Sequence, residues 1–171
     1  MTGVQTCALP ISFEDGTEAP YDLLIAVPAH EAPRSARQSG LTNQSGWIPV
    51  DPKTLKTAAD RVYAIGDVTV VPLPGRYKPD VPLFLPKAAV FAEGHGRVVA
   101  AEIAGNVLGK EPSEVFDGKG FCFIEMGNRQ ALGGEGAFFE LPHPRVTLRG
   151  PDPAQLAEKE AWAAKFLEKY F

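Results

Sequence analysis

Thiols are scarce in this chain: its 171 residues include only Cys7 and Cys122. Such a pair does not make a disulfide framework and gives no sign of an oxidising compartment. Histidine is also sparse. His30, His95 and His143 show no H-x-x-x-H or similar cluster, so no metal centre is expected. No apolar run approaches the ~20 residues that span a bilayer, which leaves peripheral membrane contact open. Positive charge is not in excess either. With 17 Lys and Arg against 21 Asp and Glu the net charge is −4, and the sequence pI is near 5.4. A phosphate-binding face wants basic residues, so no nucleic-acid partner is expected. Nor is there a G-x-G-x-x-G, the glycine pattern that lets a backbone approach a dinucleotide pyrophosphate.

What is present is ordinary for a soluble globular chain: 44% hydrophobic and 22% charged residues, with length enough for one domain and a real core. The first residues stand apart. Residues 2–11, TGVQTCALPI, are codon by codon the translation of ACTGGAGTTCAGACGTGTGCTCTTCCGATC, a sequencing-library adapter. A secretory signal fits poorly, because no basic n-region precedes the apolar stretch and Thr6 and Pro10 interrupt it. Residues 1–11 are therefore expected to be an artefact, Ser12 onward to be the interior of a longer protein, and Cys122 to be its one remaining thiol.

Residues 21–27 (YDLLIAV) form a compact apolar run ending at Pro28, as expected of a buried parallel-type strand. Residues 34–38 suggest a short helix ending near Gly40, and 47–51 (WIPVD) a short extended piece. Residues 62–65 (VYAI) read as a short buried strand that stops at Gly66 and offers the carboxylate of Asp67. Five prolines, Pro72, Pro74, Pro79, Pro82 and Pro86, then mark a loop of unusual length, often a functional or mobile feature. Its apolar end, 81–85 (VPLFL), suits either a core anchor through Phe84 and Leu85 or a hydrophobic wall for a quinone. Residues 87–108 carry a helical apolar pattern interrupted by Gly94 and Gly96, each costing about 1 kcal/mol against alanine. Close packing is the expected reason for them.

A strand tip with glycine and aspartate facing a helix start suits a ligand with hydroxyls at one end and an electron-poor ring at the other. Gly66 permits close backbone approach, Asp67 accepts hydrogen bonds from sugar hydroxyls, and helix-start N–H groups favour negative charge. The sequence Y-A-I-G-D at 63–67, followed by P-K-A at 86–88 and a long helix, resembles the second flavin motif of the FAD-dependent pyridine nucleotide-disulfide oxidoreductases. Within them it looks most like the sulfide:quinone reductase and flavocytochrome c sulfide dehydrogenase group. The resemblance implies that Gly66 and Asp67 hold the ribityl chain of FAD. It also implies that the helix start at Pro86, Lys87 and Ala88 places backbone N–H groups against the ring, with Lys87 and Ala88 as the donors because proline has no N–H. The implied fold is α/β, a partial Rossmann-like FAD/NAD(P)-binding domain at 12–109 followed by a small α+β C-terminal domain at 110–171.

Beyond a turn-rich boundary at 105–118, residues 120–126, 130–140 and 145–148 read as three short strands in a meander. Alternation puts Phe121, Phe123 and Glu125 on one face and Cys122, Ile124 and Met126 on the other. Asp152, Pro153 and Gln155 form a helix-start signature: capping aspartate, proline at the first helical position, glutamine at the third. The stripe from Leu156 through Trp162, Phe166 and Tyr170 fits a helix docked on its own domain or, alternatively, a membrane-surface helix. Residues 116–125 (FDGKGFCFIE) resemble the element that carries a redox cysteine beside the flavin in sulfide:quinone reductases, which makes Cys122 the candidate catalytic residue. The alternative is a small buried hydrophobe.

By that resemblance the parent passes electrons from a small-molecule reductant, sulfide favoured, through FAD to a quinone or cytochrome. A cytoplasmic or peripheral membrane location is favoured, and the fragment alone is expected to be inactive. Two rivals remain open. One is a type II NADH:quinone reductase; the other is a non-catalytic flavin- or partner-binding remnant.

Overall fold

The computed structural model describes residues 10–171. Cys7 and all but the last two residues of the adapter-like segment lie outside the described residues. The chain divides into two compact units, Met1–His30 and Glu31–Phe171.

In the first unit, strands β1 (Ile11–Ser12) and β2 (Glu18–Ala19) pair antiparallel. The turn between them is closed by the Asp15 carboxylate, which accepts from the amide and hydroxyl of Thr17 at 2.9 and 2.7 Å. The strand expected at 21–27 does not form. Leu23 is 77% and Ile25 87% exposed. A strand of a parallel sheet has no internal hydrogen bonds and exists only beside a neighbour, and no described strand pairs with these residues.

The second unit runs α1 (Arg34–Gln38), β3 (Ile48–Pro49), a 3-10 turn (Gly66–Val68), β4 (Thr69–Val70), α2 (Ala89–Leu108), β5 (Lys119–Gly127), β6 (Gln130–Ala137), β7 (Arg145–Asp152) and α3 (Pro153–Tyr170). Helices and sheets are thus mixed, an α/β chain in the coarse sense. β3 and β4 pair in parallel, Ile48 opposite Thr69. β5, β6 and β7 form the expected antiparallel meander. The core lies under α2, where Leu55, Val71, Leu85, Phe91, Val98 and Phe116 are buried together.

The buried strand expected at 62–65 is corrected to an irregular segment. Only Tyr63 makes a bridge, to Lys56, and Ala64 alone is buried, while Val62 and Ile65 stay partly exposed. Two backbone bonds to residues 55–57 hold the segment, Thr57 N–H donating to the Val62 carbonyl at 3.0 Å and Ala64 N–H to that of Leu55 at 3.2 Å. Asn106 of α2 adds a bond to the Tyr63 hydroxyl at 3.2 Å, and buried Glu102 pairs with Lys56.

The proline-rich loop is well tied. Leu85 N–H donates to the Val71 carbonyl and Leu73 N–H to that of Leu83, both at 2.9 Å, and Tyr77 stacks on His143. Leu85 anchors the loop in the core; Phe84 does not, being half exposed. Of the two glycines singled out in α2, Gly94 has the expected close contact and Gly96 does not, the nearest neighbour of a Cβ there being Ile65 Cδ1 at 4.0 Å. A Cβ at Gly94 would stand 3.1 Å from the Phe116 ring. At its far end α2 stops on Gly109, whose left-handed φ of 63° suits a glycine cap.

α3 starts as its sequence predicts. The Asp152 side chain accepts from Gln155 N–H at 2.8 Å and proline occupies the first turn. The Gln155 side chain does not complete the box. It lies buried against the backbone of Gly133, where a Cβ would meet its Oε1 at 2.0 Å. The helix docks on the sheet through Trp162 and Phe121, edge to face at 5.6 Å, and on α2 through Lys169 and Tyr170, which both reach Glu93. No helix among the described residues is long and apolar enough to cross a membrane.

Candidate functional site

The returning loop carries residues 85–88 back beside the 3-10 turn, so that one depression is lined by Gly66, Asp67, Thr69, Pro86, Lys87 and Ala88, with His95 below. All five residues read as cofactor-binding from the sequence therefore meet at one place, although 18 residues separate Asp67 from Pro86. Gly66 has φ 69°, a left-handed conformation that glycine adopts without a steric penalty. A Cβ there would also crowd the Ala92 Cβ at 3.3 Å.

Asp67 is exposed, and among the described residues its carboxylate accepts no hydrogen bond. Its backbone carbonyl does. Lys87 Nζ donates to the carbonyls of Asp67 at 2.5 Å and Thr69 at 2.9 Å. The same ammonium sits 3.6 Å from the centroid of the Trp47 ring, which the β3–β4 pairing holds beside the turn. Partial burial lowers the Lys87 pKa, and the charge of Asp67 opposes that shift. Lys87 is thus a strap across the turn, a role the sequence did not disclose.

Ala88, the N-cap of α2, provides no side-chain cap. The first N–H groups of a helix lack intrahelical acceptors, so the end of α2 faces the depression with donors to spare. The cavity itself is only about 10 Å³, against roughly 300–1,000 Å³ for sites that enclose a small ligand. It forms one wall of a site, not an enclosure.

His95 and Thr69, which line the depression, and Trp47, which lies against Lys87, are residues that sequence reasoning missed. The His95 ring is 1% exposed, its Nδ1 accepts from Gly66 N–H at 3.1 Å, and it stands edge to face against Phe116, centroids 4.5 Å apart. Burial pushes its pKa down to about 4. Nothing in the spacing of 66 and 95 announces this contact, because the intervening loop sets it.

Cys122 is exposed on β5, its thiol 3.6 Å from the Phe123 carbonyl, so the buried-hydrophobe alternative is not what is found. It does not line the depression. It borders a separate cleft of about 690 Å³ between α2, α3 and the meander, walled by Phe121 and Trp162 and by Arg149, which is paired with Glu135 and Glu158. One relationship links the two places. Gly120 lies against the ring of Phe91, where a Cβ would fall 2.3 Å from Cε1, and Phe91 lines the depression. Cys122 is two residues along the same strand and hence on the same sheet face as Gly120.

No family model matches the chain. A stretch of 62 residues is 42% identical to trypanothione reductase of Leishmania donovani. The likeness is to an oxidoreductase. It covers 34% of this chain and 12% of that protein, and it supports the pyridine nucleotide-disulfide oxidoreductase superfamily at most.

Proposed function

We propose that this chain is part of an FAD-dependent oxidoreductase of the sulfide:quinone reductase type. In this reading residues 12–109 belong to the FAD/NAD(P)-binding domain and 110–171 form the C-terminal domain. The observation that carries the proposal is the gathering of Gly66, Asp67, Pro86, Lys87 and Ala88 around one depression. The likeness to trypanothione reductase supports the oxidoreductase class and is silent on sulfide.

The residues present fit the ribityl and ring ends of a flavin. An open carboxylate at Asp67 accepts from vicinal hydroxyls, the bare start of α2 donates to the carbonyl edge of the electron-poor ring, where negative charge develops, and glycine at 66 keeps the approach clear. FAD, when bound, supplies the redox chemistry. The protein's part is to orient and polarise. Lys87 holds the turn so that Asp67 points outward, and its ammonium adds positive charge beside the same wall. Cys122, exposed and on the sheet face that meets Phe91, is the group offered to a sulfur donor. A quinone or cytochrome is the proposed acceptor.

The test is FAD affinity of the chain and its Asp67→Ala variant. Without a glycine loop for the pyrophosphate, weak binding is expected, and loss of the charged acceptor should weaken it about tenfold further. Equal affinities would sink the ribityl assignment. For the chemistry, sulfide-dependent quinone reduction is measured in the FAD-loaded full-length parent with and without Cys122→Ser; unchanged turnover removes the cysteine from the reaction.

A further inference from the structure

The amide of Gly66 closes no backbone ladder, since the segment before it is irregular and the 3-10 turn begins there. Its hydrogen goes instead to Nδ1 of His95. That nitrogen must carry a lone pair, so the imidazole is neutral with its proton on Nε2. Nε2 is itself buried and has no hydrogen-bond partner among the described residues, so this part of the core holds an unpaired polar atom beside Phe116. Leaving a buried donor unpaired is destabilising. An apolar side chain would fill the same space without that cost, so the ring's one evident polar return is the acceptor it gives to Gly66.

We propose that His95 is a positioning residue: its Nδ1 fixes the Gly66 amide and, through it, the outward carboxylate of Asp67. His95 and Lys87 would then hold the turn from both ends. Lys87 ties the carbonyls of Asp67 and Thr69 to the start of α2, and His95 ties the amide of Gly66 to the second turn of the same helix. Thr69 Oγ1, donating to the Gly66 carbonyl at 2.8 Å, closes the turn on itself. The consequence for a flavin rests on the proposed function; the fixing of the turn does not.

The test uses the whole chain, labelled with 15N, in three forms: unsubstituted, His95→Asn and His95→Leu. Asparagine places an acceptor where Nδ1 stood, and leucine only fills space. Gly66 amide exchange should speed up about tenfold or more in His95→Leu and stay within about threefold of the parent in His95→Asn, with Val98 and Val99 amides unchanged in both. Added FAD should shift the Asp67 amide in the parent and in His95→Asn but not in His95→Leu. If asparagine does no better than leucine, or Gly66 exchange is indifferent to both, the positioning role is overturned. A ring spectrum of the unsubstituted protein showing the proton on Nδ1 overturns it without any variant. If FAD shifts nothing in the parent while the exchange pattern holds, the flavin assignment fails and the positioning role stands.

Discussion

The ammonium of Lys87 lies 2.5 Å from the carbonyl of Asp67 and 3.6 Å from the centre of the Trp47 ring. One side chain thus spans three segments that are distant in sequence. Lys87→Met should lower stability by about 1 kcal/mol, a charge-assisted pair and a cation–π contact discounted for exposure. Arginine should not restore it, since a planar fork does not reproduce a point charge shared by two carbonyls. Urea unfolding of the two variants checks both statements.

His95 makes stability depend on pH in a defined direction. Its pKa is near 4 in the folded chain against an ordinary 6.5, so the unfolded state binds the extra proton first as pH falls. The contribution is complete above about pH 6.5 and is lost progressively toward pH 4, on the order of 2–3 kcal/mol. His95→Asn should remove that part of the loss. Carboxylates such as Glu93, whose pKa is lowered by hydrogen bonds from Tyr170 and Lys169, act in the same sense but mostly below pH 4.5. The difference between the parent and the asparagine variant between pH 7 and 4.5 isolates the histidine.

Gly120→Ala should destabilise the protein by about 1–3 kcal/mol, because the added methyl overlaps the Phe91 ring in a packed core. Shortening the ring partner with Phe91→Leu should recover part of the loss when combined with Gly120→Ala. Additive losses in the double variant would contradict the contact.

Asp152→Ala removes the cap of α3 and should cost about 1 kcal/mol. Asp152→Asn and Asp152→Ser should cost much less, since both keep an acceptor for Gln155 N–H. Thermal unfolding of the three variants ranks them.

Cys122 should be alkylated in the native protein without denaturant, since it is exposed. Peptide mapping after brief iodoacetamide treatment reads the extent; protection of Cys122 until unfolding would contradict its placement.

Local chemistry was the most legible part of the sequence. The cap at Asp152, the meander and the long helix after Lys87 follow from signals within a few residues of each other, and the structure has them. The Gly-Asp and Pro-Lys elements could be placed on one site because their residue types ask for the same ligand. The strand expected at 21–27 failed because apolar composition does not supply the neighbouring strand that a parallel sheet requires; 62–65 finds a neighbour in 55–57, but with only a single bridge and two backbone bonds it stays irregular. The contacts between Lys87 and Asp67, and between His95 and Gly66, were illegible because they depend on how an 18-residue loop folds back. Gly120 could not be singled out among 17 glycines without knowing that an aromatic ring rests on it.

That glycine has a mechanical meaning. Where two elements meet through side chains, rotamer changes cushion a small displacement of one from the other. Between Phe91 and Gly120 only the ring can yield, because the glycine has no side chain to move. Phe91 belongs to the first turn of α2, so this one contact sets the spacing between that turn and the strand whose next side chain on the same face is Cys122.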